Sequence, residues 1–563
     1  MPRFTRYLLI ILCAYQLSAF ADVPANQADI YLQIKENIGI FGTVYRELNN
    51  RYVDTIDPEA FMQAGIEGML STLDPYTVFL DNDESDDLHI MTAGKYGGVG
   101  IEIGVRGKDK VLTVISPIEG GPAERLGIRP GDKIVEIDSI STAGFSTSDA
   151  AQHLRGDPGT SVTITVERIG VAEPINFTLL RDIITVKDIS FSGLLDNTIG
   201  YVRLTRFSRN AGSELRRELN QLKQQGMTGI ILDLRHNPGG LLPAAVEVTQ
   251  NFVSKGETIV STKGRSDSSE KRFKSLAGPI VPDLPMVVLV DEGSASAAEI
   301  VAGALQDLDR AVIVGKSTFG KGLVQTLVDF KDGRALKITT ARYYTPSGRL
   351  IQKLDYFEEN DAILKPAGYS EEPDRVDVYD TRSGRTVYGG GGITPDIEVA
   401  LPELNRYETE LLGGGYFYDF TARYLSDHPD TRNYEITPAI IDQFRAYLDE
   451  KGFVFKTDLE QKLDELQVTV TEQEIDGSDV TDCLNALQQA FAAQKPDYFT
   501  DNLDFVELTL KRNIAGLLDG RKGSILAGLE EDTQMQAALD LLGDLHAYRQ
   551  ILTGPQQAMG NKE

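Results

Sequence analysis

Three short segments of this 563-residue chain carry residue types that could together cleave an acyl bond. The first is Asp291-Glu292-Gly293-Ser294-Ala295-Ser296-Ala297-Ala298-Glu299, which follows the apolar run Met286 to Val290 and opens a helical stretch. A serine at a helix N-terminus sets its Oγ, and the next N–H from Ala297, beside the positive end of the dipole. Serine is also a common N-cap, so position alone leaves Ser294 and Ser296 both open as nucleophile. The second segment is Thr318 to Gln325, with Lys321 between two glycines. Lysine is a general base only when neutral. Its reference pKa of about 10.4 must fall by about 3 units, roughly 4 kcal/mol, and desolvation acts in that direction. If Lys321 to Gln325 is extended, period two puts both side chains on one face, where the Gln325 amide can hold the amine. The third segment, Asp233 to Gly240, runs from a strand through a glycine turn and offers Gly239 or Gly240 as an oxyanion donor.

The elements around these segments alternate: Ile199–Leu204, Ala211–Gln225, Gly229–Leu234, Pro243–Val253, Met286–Val290, Ser296–Leu308 and Ala311–Val314. That order predicts an α/β core with crossover connections. Ahead of it, Lys95 to Asp182 reads as glycine-punctuated short strands (Val99–Val105, Val111–Ile115, Lys133–Ile137, Val162–Arg168) around a helix, Thr147–Arg155. Asp29 to Leu80 reads as helices. Ile34, Ile38, Phe41, Tyr45, Leu48 and Tyr52 share one helical face, and Asp57-Pro58 starts a second helix. This segment reads as packing or dimerising, without chemistry. Leu401 to Glu563 is mostly helical, with a well-marked start at Thr437-Pro438. The fold class is therefore multidomain α+β: N-terminal helices, a small strand-rich domain, an α/β core and a helical C-terminal extension. The expected boundaries are 1–21, 22–84, 85–186, 187–400 and 401–563.

Lys+Arg number 56 against 84 Asp+Glu, a net charge of −28, which speaks against nucleic acid as a partner. Met1 to Ala21 has Arg3 and Arg6, a short apolar run and Ala19-Phe20-Ala21, the pattern of a secretory signal peptide. Export to a bacterial periplasm is expected, with membrane association left open. Cleavage would leave Cys483 as the one cysteine, placed in a helical core position, so no intramolecular disulfide is expected. No metal-ligand cluster stands out, and no cofactor is expected.

Tyr96-Gly97-Gly98-Val99-Gly100-Ile101, Gly121-Pro122-Ala123-Glu124 and Gly127-Ile128-Arg129-Pro130-Gly131-Asp132 resemble a PDZ domain. The resemblance implies that Gly97, Gly98, Val99, Gly100 and Ile101 form a carboxylate-binding loop. It also implies that Ile101, Ile103, Ala151 and Leu154 line a pocket for an apolar last residue, and that Arg155 reports substrate to the core. DLRHNPGG, GSASAAEI, DRAVIVGKSTFGKGLVQ and GGGGITPDIEV follow in order, covering about Ile38 to Val399. This set resembles the C-terminal processing peptidases, or tail-specific proteases, of the Ser–Lys kind. The resemblance implies a crotonase-like core with Ser296 as nucleophile, Lys321 as base, Gln325 as positioning residue, and Gly239, Gly240 and Ala297 around the oxyanion. His236 stands where an asparagine is common. Polypeptides with free, apolar C-termini are the expected substrates. An activating or adaptor protein and a homodimer stay open as further partners. The competing readings are a PDZ scaffold with an inactive core, a Ser–His hydrolase using His236 without an evident acid, and an acyl-CoA enzyme.

Overall fold

A computed structural model describes residues 25–107, 110–353, 377–473 and 478–553; the stretch read as a signal peptide lies outside them. The core is a six-stranded sheet in the order Ile189–Leu195, Ile199–Leu204, Gly229–Asp233, Met286–Val290, Val312–Gly315 and Ile397–Glu398. The first pair is antiparallel and the others are parallel. Gly229–Asp233, Met286–Val290 and Val312–Gly315 are buried throughout. Burial on both faces explains why they read as unbroken apolar runs instead of alternating ones.

Helices Ala211–Gln224, Leu242–Thr249 and Ala297–Asp307 cover one face. The other face is closed from the far end of the chain. Met535, Ala538, Leu541, Leu542 and Tyr548, on helices Thr533–Gly543 and Leu545–Thr553, pack on Ile231, Val287, Leu289 and Val314. The Tyr548 hydroxyl bonds both the N–H and the carbonyl of Met286, at 2.9 and 3.1 Å.

A second sheet flanks the core: Val78–Leu80, Ala335–Tyr344, Thr258–Gly264 and Lys271–Lys274, with Leu323–Asp329 also paired to Ala335–Tyr344. The N-terminal region thus reaches the core, because Val78–Leu80 pairs antiparallel with Lys337–Ala335. Asp57 caps Pro58–Leu70 as expected, accepting from Glu59 and Ala60 N–H. On Ala25–Arg51 the apolar residues Ile34, Ile38, Phe41 and Leu48 are exposed, while Tyr45 stacks on Phe61.

The PDZ-like segment is a separate sheet, ordered Ile101–Arg106, Val111–Pro117, Lys133–Ile137, Ser161–Glu167 and Ile175–Leu180, with helix Thr147–Leu154 against it. It is docked on the C-terminal helix Tyr416–Asp427. Tyr418 donates to the Val114 carbonyl at 2.9 Å, and Arg106 lies 4.1 Å from its ring centroid. Cys483 is exposed on helix Ser478–Ala493, whereas a core position was expected; the neighbouring Leu484 is the residue that turns inward.

Asp188 sits between Asp182–Thr185, which closes the PDZ unit, and Ile189–Leu195, which starts the core. It is buried and accepts from the Ser208 hydroxyl at 2.6 Å, with Arg206 at 3.8 Å. Burial pushes its carboxyl from 3.8 up to about 6, with Ser208 and Arg206 opposing and Glu214 assisting. A carboxyl raised in the folded state stabilises the fold below the unfolded pKa, and that contribution fades as pH rises through the folded one. Asp188→Asn is therefore expected to gain stability relative to wild type between pH 4 and 6, with no further gain above. Chemical denaturation across that range checks this.

Candidate active site

The strand Met286–Val290 ends at a tight elbow before helix Ala297–Asp307. Ser296 occupies its apex with φ 55° and ψ −111°, a conformation that non-glycine residues adopt at a cost of about 1–3 kcal/mol. Neighbouring hydrogen bonds hold it there. Ser294 accepts from Asp291 N–H at 3.0 Å and its hydroxyl donates to the Leu234 carbonyl at 2.8 Å. Ala295 N–H donates to the Asn237 carbonyl at 2.9 Å. Ser294 is wholly buried, so its hydroxyl fastens the elbow to the Asp233–Gly240 turn instead of facing solvent.

That turn lies directly against the elbow. Gly239 has φ +97°, and a Cβ there would sit 2.8 Å from Ser296 Cβ and 2.9 Å from Ala297 N. Its own N–H donates to Asn237 Oδ1 at 2.9 Å, which removes Gly239 from the expected oxyanion donors in this conformation. Among the described residues, the N–H groups of Gly240 and Ala297 have no acceptor. The base of the turn is fixed by Arg235, which pairs with buried Asp233 at 2.8 Å and with Asp532 of the C-terminal helices at 2.8 Å. Burial disfavours the Asp233 charge, but the Arg235 guanidinium outweighs it and holds the carboxyl below its usual range.

Glu299, one turn into the helix, joins elbow and lysine loop. Its buried carboxylate accepts from Ser296 N–H at 2.8 Å, Thr318 hydroxyl at 2.6 Å, Gly320 N–H at 2.7 Å and Lys321 N–H at 2.8 Å. Burial pushes this carboxyl upward while the four donors pull it down. Thr318 in turn accepts from Ile393 N–H at 2.7 Å, so the glycine-rich segment Tyr388 to Glu398 is built against the lysine loop.

Lys321 lies just before strand Leu323–Asp329, and the register to Ala335–Tyr344 slips between Val324 and Gln325. The extra residue of that slip is Thr340 on the partner strand, and Lys321 itself lies outside the paired strand, which starts at Leu323. The Gln325 Nε2 is buried without a partner, and among the described residues no hydrogen bond joins the Gln325 side chain to the Lys321 amine. Lys321 Nζ makes no hydrogen bond to Ser296; it lies 4.6 Å from the ring centroid of Tyr76. Burial lowers its pKa, with help from Lys337, against Glu299 and Asp74. The buried Tyr343 hydroxyl faces the Ser296 side chain and donates to the Lys321 carbonyl; burial holds its pKa well above 10. Ser296 and Lys321 thus share one site without touching through their reactive atoms.

His236 is largely exposed, yet its Nδ1 lies 2.9 Å from Asp291 Oδ2, an acid that the sequence did not bring forward. Among the described residues, no hydrogen bond joins its imidazole to Ser296, which leaves the Ser–His reading without a contact.

In the PDZ domain, Ile101–Arg106 is the edge strand, open on one side. Ile101 and Leu154 are buried; Ile103 and Ala151 are half-buried. Gly97 and Gly98 belong to strand Lys95–Gly98, paired with Asp182–Thr185, and Gly97 accepts from Gly156 N–H at 3.1 Å. Their backbone is therefore committed to the sheet, and the loop proper is Val99-Gly100-Ile101, with Gly100 at φ +73°. Arg155 pairs with Asp87 and lies 5.6 Å from the Tyr96 ring centroid.

Tyr76, Tyr343, Asp291 and Glu299 were not read as site residues from sequence. Glu299 had a legible signal, since Ser-x-x-Glu before an apolar run is a capping-box pattern. The two tyrosines had none, being distant in the chain from both reactive segments.

Residues 198–356 match the model of peptidase family S41 and residues 113–168 that of a PDZ domain. Residues 407–542 match "Probable PDZ-protease, C-terminal helical domain", and residues 15–84 match "Activating protease CtpB N-terminal domain". The carboxy-terminal-processing protease of Bartonella bacilliformis is 40% identical over 331 residues, 58% of this chain and 74% of that protein. The carboxyl-terminal-processing protease of Picosynechococcus sp. is 39% identical over 374 residues, 66% and 86% of the two chains. This chain belongs to the carboxy-terminal processing protease family, and polypeptides are its substrates. Among the described residues, no helix is long and apolar enough to cross a membrane.

Glu299→Gln keeps the volume but turns an NH2 toward backbone donors. It is expected to lower stability by about 2–3 kcal/mol, read from the shift of a urea unfolding midpoint.

Proposed function

We propose that this chain is a serine endopeptidase that captures a polypeptide's free C-terminus on its PDZ domain and cuts upstream of it with Ser296 and Lys321. The observation that carries this reading is Glu299, whose carboxylate binds the backbone of both residues beside the open N–H groups of Gly240 and Ala297. The edge strand Ile101–Arg106 offers unpaired backbone to an extended peptide, with Ile101, Ile103, Ala151 and Leu154 toward its last side chain.

In the reaction, neutral Lys321 Nζ takes the proton of Ser296 Oγ as that oxygen attacks the scissile carbonyl carbon. The tetrahedral oxyanion accepts from Ala297 and Gly240 N–H; one such donor is worth about 3 kcal/mol. Collapse breaks the C–N bond, and the leaving amine takes the proton from the Lys321 ammonium. Water then attacks the acyl ester with Lys321 again as base, releasing a carboxylate and restoring the serine. Gln325, on the strand that follows the lysine loop, orients the amine when substrate is bound. Export rests on the signal-like residues 1–21 and fits a substrate pool outside the cytoplasm.

The mature chain with an unstructured substrate ending in apolar residues tests this. Ser296→Ala and Lys321→Ala are each expected to reduce cleavage by at least about 10³-fold. Ser294→Ala should still cleave while losing about 1–2 kcal/mol of stability. Wild-type rates from either dyad variant would discard the assignment. Equal cleavage of amidated and free C-termini would discard PDZ capture.

A further inference from the structure

We propose that Tyr76, from the loop ahead of the PDZ domain, is a positioning residue that holds the Lys321 amine away from Ser296 until substrate arrives. The proposal rests on the Ser296–Lys321 reading and adds a resting station for the base. The backbone of Lys321 is fixed at both ends: its N–H donates to Glu299 and its carbonyl accepts from the Tyr343 hydroxyl. Only the side chain is left to move, and rotation of its flexible stem carries the amine between two stations. One station is Ser296. The other is the face of Tyr76, where the amine now lies, 4.6 Å from the ring centroid.

The ring is held firmly enough to act as a station. Asp74 accepts from Tyr76 N–H and Thr77 N–H, both at 2.9 Å, and from the Thr77 hydroxyl at 2.8 Å. The Thr339 hydroxyl reaches Asp74 at 3.2 Å, and Thr339 N–H donates to the Thr77 hydroxyl at 3.1 Å. Val78–Leu80 then joins the strand that also pairs with Leu323–Asp329. The loop is therefore built onto the sheet that carries the lysine side of the site.

The chemistry suits a hold. An ammonium over an aromatic face is attracted by the ring quadrupole, an interaction worth about 0.5–2 kcal/mol. Asp74 and Glu299 favour the charged amine, whereas burial and Lys337 disfavour it. Among the described residues the amine makes no side-chain hydrogen bond at this station; on leaving the ring face it gives its proton to solvent, as burial and Lys337 favour, and turns to Ser296 neutral.

Labelling of Ser296 by a fluorophosphonate in the full-length mature chain, with no peptide present, tests this. Wild type should label slowly. Tyr76→Ala, and Tyr76→Leu, which keeps much of the bulk without the π face, should label about tenfold faster, equivalent to about 1.4 kcal/mol. Tyr76→Phe retains the ring face and should label as slowly as wild type. Adding Lys321→Ala to Tyr76→Leu should abolish the gain. The proposal is overturned if neither truncation labels faster, if Tyr76→Phe labels as fast as Tyr76→Leu, or if the gain survives without Lys321. Full substrate cleavage by Lys321→Ala would instead remove the dyad on which the proposal rests, a separate and distinguishable failure.

Discussion

The buried carboxylate of Glu299 is the interaction on which the rest of the site depends. A negative charge removed from water is tolerated only when strongly solvated by the protein. Here the solvation comes from the Ser296 and Lys321 N–H groups together with those of Thr318 and Gly320. Satisfying one side chain thus forces two loops into register, although they leave different strands. The strained backbone of Ser296 follows, since its N–H must point back at the helix it precedes. Pinning backbone instead of side chains also leaves the reactive atoms free to rearrange.

The sheet that presents these loops is organised around the same need for enclosure. Its central strands are apolar on both faces, so each requires a layer of helices. One layer comes from the local crossover helices, and the other from residues 533–553. The C-terminal extension performs a second task through Tyr416–Asp427, which seats the PDZ domain by Tyr418. PDZ domain and core sheet therefore share one support.

Much of this was legible in the sequence because the signals were local. Asp57-Pro58 named a helix start, unbroken apolar runs such as Met286–Val290 named strands of the core, and glycine-punctuated strands marked the PDZ unit. Ser296, Lys321 and the Asp233–Gly240 turn stood out by residue type and by family resemblance. What stayed hidden depended on distant pairing. Tyr76 reaches Lys321 only because Val78–Leu80 joins a strand more than two hundred and fifty residues later. The extended run expected from Lys321 is shorter than its glycine-flanked sequence implies, because pairing with Ala335–Tyr344 begins only at Leu323. Gly97 and Gly98 looked like anion-binding glycines, but strand pairing claims their backbone.

The Tyr548–Met286 contact joins positions 262 residues apart, and it lies at the end of the described chain. Its consequence concerns the order of events during synthesis. The strand that leads into Ser296 keeps one bare apolar face until residues 533–553 have been made. The sheet behind Ser296 is thus completed by the segment farthest from it in the described sequence.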